Sequence, residues 1–239
     1  MLRRNSLIPP RRLQKYGRGD WIETGDATLA WLLDHAGLRN DSRVLDIGCG
    51  TGRIARPLVG LLRDGTYDGF DIDREAIGWC RRAYRSHRNA HFVRADLFHQ
   101  RFHPGGAHSA AEYRFPYDDA SFDVVVAASV FPHLLEQEAA NYLAESARVL
   151  APGGHLLATF FVLDADSRAA IAAGKATFAF LDADAHVAVV SDEHPDESVA
   201  YDAGWLKTTF GGEIDVHPGT WRGGEEGLDL IDVVVAKHA

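Results

Sequence analysis

Apolar residues along this chain alternate between short continuous runs and helically spaced positions, and the alternation is regular from about residue 25 to 161. The runs at 43–47, 66–72, 90–94, 122–129 and 155–161 have the length of strands, and F-D-V-V-V-A-A-S at 122–129 is apolar enough to be buried on both faces. Between them, Leu29, Leu32 and Leu33 within 25–36, and the stretches 53–62, 74–85 and 136–150, read as helices. Gly37 and Pro152-Gly153-Gly154 are stop signals, and Pro57 is tolerable only near the first turn of its helix. Strand and helix in strict alternation predict a parallel sheet with right-handed crossovers, a doubly wound α/β domain. The pattern then changes to a short helix over 201–210 and strands over 213–217 and 228–236, the last two compatible with a hairpin.

Two stretches fall outside the minimal sheet: 98–120, with Pro104-Gly105-Gly106 and Phe115-Pro116, and 164–200. Both leave from the carboxyl ends of strands, the edge where open sheets bind ligands, and segments this long often serve as substrate walls or a lid. Residues 1–24 read as an arm and 25–239 as the domain. Arg3, Arg4, Arg11, Arg12, Lys15 and Arg18 all precede the first acid, Asp20, and Pro9-Pro10 interrupts any helix there. Two readings stand: a solvated arm, or a lid in which Tyr16 and Trp21 supply aromatic surface and Arg18 meets an anion.

Composition narrows the class. At 239 residues the chain fits one α/β domain. A formal charge of -9 argues against affinity for phosphate backbones, so no nucleic-acid partner is expected. Cys49 and Cys80 are too few for a disulfide framework and read as reduced thiols. No apolar run approaches a membrane span and no signal-peptide core opens the chain, so the expected location is cytoplasmic, with no membrane partner. The histidines, including His99, His103, His108, His186 and His194, show no tight ligand spacing, so they are read as solvated loop residues and no metal is expected.

The most informative string is V-L-D-I-G-C-G-T-G at 44–52, an apolar strand that runs into glycines at alternate positions. Such a turn lets the backbone approach a ligand closely. Its spacing excludes two nucleotide classes. A dinucleotide fingerprint starting at Gly48 and Gly50 needs a third glycine where Arg53 stands. A Walker loop needs a lysine, and none occurs between Lys15 and Lys175. Asp71, near the end of the second strand, is placed to accept hydrogen bonds from both hydroxyls of a ribose. Asp73, just past that strand, reads as the cap of the following helix.

The D-x-G-x-G-x-G string resembles motif I of the class I S-adenosylmethionine-dependent methyltransferases. Asp71, an acid after strand three (Asp96) and the R-V-L-A-P-G-G-H-L turn before strand five follow in the order of that family. The resemblance implies a seven-stranded, mostly parallel sheet with an antiparallel last strand, and a small-molecule branch with a cap inserted between strands five and six. It implies S-adenosylmethionine as cofactor, with Gly48, Cys49, Gly50 and Gly52 under its methionine part; Arg53 reads equally as a cap on the methionine carboxylate or as a solvated helix arginine. Asp46 is expected to order the turn through backbone amides. Ile72 would press on the adenine, Asp96 take its amino group, Leu97 supply a backbone amide, and Ser129 line the cofactor from the end of strand four.

Strand four ends in A-S-V-F-P-H-L, which is not the motif of an Asn or Asp with two prolines and an aromatic that amino-methylating DNA enzymes of this class place there. A small-molecule acceptor is expected, most simply a hydroxyl oxygen. His133 could take the proton of that hydroxyl, or instead fix the loop or contact the cofactor. The alternatives are N- or C-methylation, and a catalytically silent cofactor-binding domain.

Overall fold

The computed structural model describes residues 7–15, 19–225 and 227–238. Arg3, Arg4, Tyr16 and Arg18 of the arm lie outside these residues.

Strand β1 (Arg43–Ile47) is central, parallel to β2 (Thr66–Asp71) on one side and β4 (Phe122–Ala127) on the other. Beyond β2 lies β3 (Ala90–Arg94), and beyond β4 lies β5 (Leu150–Leu163), both parallel to their neighbours. Strand β9 (Asp232–Lys237) then runs antiparallel along His155–Phe160 of β5, and β8 (Glu213–His217) pairs antiparallel with β9. The core order β3-β2-β1-β4-β5-β9-β8 is the expected seven-stranded sheet with its last strand inserted antiparallel.

Helices α1 (Trp21–His35), α2 (Ala55–Leu61) and α3 (Arg74–Ala83) cover one face, where Leu32, Leu58, Ile77 and Cys80 pack on Val44, Val124 and Val126. Helices α4 (Glu136–Val149) and α6 (Ala203–Phe210) cover the other, with Leu143, Leu206 and Phe210 against Leu45, Val125 and Leu156. Alternate residues of one strand thus face opposite cores, which is why these strands are apolar throughout.

Several boundaries differ from the sequence reading. Helix α1 begins at Trp21 rather than 25, because the Asp20 carboxylate caps the amides of Ile22 and Glu23. Helix α2 is shorter than 53–62, and Pro57 sits in its first turn, where no amide donor is needed. Residues 201–202 belong to a strand, β7 (Val199–Asp202), instead of opening the helix, and Asp202 caps α6 through the amide of Trp205.

The segment after β5 is an ordered cap. It holds α5 (Ala165–Ala172) and a pair of antiparallel strands, β6 (Val187–Val189) and β7, with β7 joined in parallel to the last residues of β5. The sheet therefore has nine strands rather than seven, the extra two belonging to the cap. Phe161, Phe180, Ala188 and Trp221 give the cap its own small core. Among the described residues no helix is long and apolar enough to cross a membrane.

Candidate active site

The chain leaves β1 in a turn where Gly48, Gly50 and Gly52 all have positive φ, at 70°, 52° and 78°. At Gly48 the need for glycine is steric as well, since a Cβ would lie 2.5 Å from Val130 Cγ2. At Gly50 a Cβ would meet nothing within 4 Å, so the turn opens onto free space. The turn is pinned from below: Gly48 and Cys49 both donate their amides to the Phe70 carbonyl, at 2.9 and 3.1 Å. Cys49 and Cys80 are buried thiols whose ionisation burial pushes upward, and the Cys80 thiol donates to the Gly50 carbonyl at 3.5 Å.

Asp71 ends β2 beside this turn. Its Oδ2 accepts the Gly50 amide at 2.7 Å and its Oδ1 the Asp73 amide at 2.7 Å, leaving further carboxylate lone pairs open. Burial raises its pKa to about 6, against the pull of those two amides. Asp73 is the cap of α3, through the amides of Glu75 and Ala76, as its place just past the strand predicts.

Asp46 corrects one expectation. Its carboxylate does not gather the amides of the turn; it accepts the Tyr67 hydroxyl at 2.6 Å, and burial raises its pKa to about 7. Tyr67 lies on the neighbouring β2, and nothing in the sequence flags it beyond its place in a strand. Arg53 is half-buried, and its desolvation lowers its pKa, with the charges of Asp229 and Asp20 acting the other way. Trp21, on α1, donates its indole hydrogen to Thr51 Oγ1 at 3.2 Å and so holds the arm's junction against the turn. Further along the arm, Arg12 and Lys15 pair with Glu75.

At the end of β3, Asp96 Oδ1 meets Arg94 Nη2 at 2.9 Å and His103 Nε2 at 2.7 Å. The His103 hydrogen bond and the Arg94 charge hold this carboxyl below the usual range. Leu97 is buried and bridges in parallel to His108; in that bridge the flanking Asp96 carbonyl and Phe98 amide make the bonds, so the Leu97 amide is not used by it. Ile72 is half-buried beside the same core, and Phe98 leaves 47% of its surface exposed.

Beyond β4, Ser129 is an exposed non-glycine residue at φ 58°, held there by its amide's bond to Thr159 Oγ1 at 2.7 Å. A residue kept in this region costs about 1–3 kcal/mol and is a common mark of functional turns. The short 3-10 turn Phe131–His133 follows. The cap closes over it: the Tyr201 hydroxyl bonds the carbonyls of Phe131 and Leu134, and His133 Nδ1 lies 3.3 Å from the Asp196 carbonyl. Burial lowers the pKa of His133 and keeps its imidazole neutral near pH 7. Phe102 meets the His133 ring edge-on at 5.4 Å, and His99 Nε2 lies 3.1 Å from the His133 carbonyl.

His99 and His103 are thus part of the site and not solvated loop residues, because both insertions fold back onto the sheet edge. His108 and His194 are exposed, and His186 pairs with Glu136 on α4 at 2.9 Å. Among the described residues no three His, Cys, Asp or Glu side chains converge as a metal ion would require.

Residues 45–156 match the family described as a methyltransferase domain, a span that begins in β1 and ends in β5. This segment is a methyltransferase domain. A phthiotriol/phenolphthiotriol dimycocerosates methyltransferase of Mycobacterium ulcerans is 37% identical over 120 residues, 49% of this chain and 36% of that protein. A fatty-acid O-methyltransferase of Mycolicibacterium smegmatis is 34% identical over 117 residues, again 49% of this chain and 36% of that protein. The chain thus spans about a third of the length of these curated relatives. Among solved structures, a SAM-dependent methyltransferase of Aquifex aeolicus superposes with a TM-score of 0.60 at 17% identity, covering 97% of this chain and all of that one. At that identity it supports the fold.

The site suits S-adenosylmethionine as cofactor. Gly50 faces open space, Asp71 keeps lone pairs that could take a ribose diol, and Asp96 with the Leu97 amide carries groups of the kind an adenine edge pairs with.

Proposed function

We propose that this chain transfers a methyl group from S-adenosylmethionine to a hydroxyl oxygen of a small, lipid-like molecule. The observation that carries the reading is the meeting of two halves at one edge: a ribose-type acid bonded to the glycine turn through Gly50 and Asp71, and a neutral His133 just past Ser129. The lipid-like acceptor is supported by the activities of the two relatives, one of them an O-methyltransferase, and by the apolar surface that Phe98 and Phe102 leave on the first insertion, with Phe102 against His133.

The bound cofactor supplies an electrophilic methyl carbon on a sulfonium. What remains for the protein is alignment, water exclusion and removal of one proton. The 98–120 and 164–200 insertions wall the acceptor side, while the arm, clasped to α3 through Glu75, closes the cofactor side. His133 takes the hydroxyl proton as the oxygen gains the methyl group, then releases it to water.

Titration calorimetry with S-adenosylmethionine and its demethylated product tests the cofactor half: absence of binding by both sinks it. A transfer assay across long-chain alcohols, fatty acids and amines tests the acceptor half. Transfer to amines alone would replace the oxygen reading, and no transfer with cofactor bound would favour a silent binding domain.

A further inference from the structure

The cap does more than wall the site. Its 190–198 stretch, between β6 and β7, carries the Asp196 carbonyl to 3.3 Å from His133 Nδ1. A carbonyl only accepts, so the hydrogen of this bond is on Nδ1, and a neutral imidazole then keeps its lone pair on Nε2. His99 is held the opposite way. Its Nδ1 accepts the amides of Arg101 and Phe102 at 3.2 and 3.3 Å, so its hydrogen is on Nε2, which donates to the His133 carbonyl at 3.1 Å.

Phe102 sits between the two rings, 4.6 Å from His99 and 5.4 Å from His133 by ring centroids, and restrains both. The Asp196 carboxylate is not what orients either ring. Although the residue is only 8% exposed, its Oδ2 has no hydrogen-bond donor, and the nearest imidazole nitrogen, His99 Nδ1 at 3.5 Å, is already taken by the two amides. Main-chain groups alone fix both tautomers.

We infer that Asp196 is a positioning residue for His133: its main-chain carbonyl, presented by the cap, locks the imidazole as the Nδ1–H tautomer and reserves Nε2 as the basic nitrogen. Free neutral imidazole side chains in water favour the Nε2–H form, so the lock reverses the solution preference. A ring with its lone pair on Nδ1 would point that lone pair at a carbonyl oxygen and leave no acceptor for a substrate proton. The inference rests on the reading of His133 as proton acceptor, but the tautomer itself can be read without any turnover.

The test is long-range nitrogen–proton NMR on the full chain labelled with 15N-histidine at pH 7.5, with H133Q and H99Q used to assign the two rings. Expected are an Nδ1–H pattern for His133 and an Nε2–H pattern for His99. An Nε2–H pattern for His133 overturns the inference outright, with no variant needed. Replacing 190–198 by a two-residue Asn-Gly hairpin turn between the paired Val189 and Val199 removes the Asp196 carbonyl and should return His133 to the Nε2–H form, whereas D196A, which keeps the carbonyl, should not. A tautomer that survives the shortening, or that is lost in D196A, assigns the lock to something other than the carbonyl. A protein that shows the opposed tautomers and binds S-adenosylmethionine yet transfers no methyl group would retire the methyl-transfer reading and not the lock.

Discussion

Gly50 gives its amide hydrogen to Asp71 Oδ2 at 2.7 Å, which joins the glycine turn after β1 to the last residue of β2. The same carboxylate takes the Asp73 amide at 2.7 Å, so it shapes two backbone turns at once. Asn at this position offers one acceptor oxygen and an NH2 group aimed at an amide donor. Asp71→Asn is therefore expected to weaken S-adenosylmethionine binding about 10- to 100-fold, the scale of one or two charge-assisted hydrogen bonds. Calorimetry reads it, and an unchanged affinity would contradict the ribose role.

Burial lifts the Asp71 pKa to about 6, and a ribose diol donates best to the ionised form. Affinity should be flat above about pH 7 and fall about tenfold per pH unit below about 6. Stability runs the other way. A carboxyl whose folded pKa is raised favours the fold below its unfolded value, and that contribution is lost as pH rises through about 6. Asp46, with a pKa raised to about 7, titrates nearby. Calorimetry from pH 5 to 8 on Asp46→Asn isolates the Asp71 limb; a limb that vanishes in this variant belongs to Asp46.

For the neutral, half-buried His133, His133→Gln should lower kcat by about 10²- to 10⁴-fold with cofactor affinity kept. In the wild-type protein kcat should rise with pH to a plateau, with a midpoint below the ordinary histidine value because burial disfavours the imidazolium. His133→Gln should lose that limb. Equal kcat in variant and wild type would remove His133 from the chemistry, and a collapse of cofactor affinity would make it a binding residue.

The parts of this site that are legible in the sequence are those whose constraint is local. A glycine forced to positive φ, an acid at a strand end and an acid capping the next helix are each fixed by their immediate neighbours, which is why Gly48, Gly50, Asp71 and Asp73 sit where their residue types say. Tyr67 against Asp46, His103 against Asp96 and Asp196 against His133 are meetings across strands or between insertions, with no periodicity to announce them. The cap strands β6 and β7 escaped for a related reason: three and four residues are too few to show alternation.

Gly48 offers a separable test of the turn. Alanine there meets two penalties, a left-handed φ of 70° costing about 1–2 kcal/mol and a Cβ 2.5 Å from Val130 Cγ2. Val130→Ala removes the second and not the first. In a urea double-mutant cycle the pair should show a favourable coupling of about 1 kcal/mol or more, leaving the φ penalty as residue. Strict additivity would mean that the turn moves away from Val130 at no cost.

Asp232, at the start of β9, is 0% exposed and accepts four donors: the amides of Val162 and Gly219 at 2.8 Å, Trp221 Nε1 at 3.0 Å and Arg222 Nε at 2.8 Å. It fastens the 218–231 connection to β5 at the point where β5 turns into the cap, and Arg222 extends the network to Asp164 at 2.7 Å. Removing one partner of a buried pair leaves the other charge and its donors uncompensated, which typically costs about 3–5 kcal/mol. Asp232→Ala should lower the unfolding free energy by about that much, while Asp232→Asn, which keeps an acceptor for part of the set, should lose less. Denaturant unfolding measures both. A loss below about 1 kcal/mol for the alanine variant would mean that water replaces the carboxylate, and that the cap is held by Phe161, Phe180 and Trp221 rather than by this polar hub.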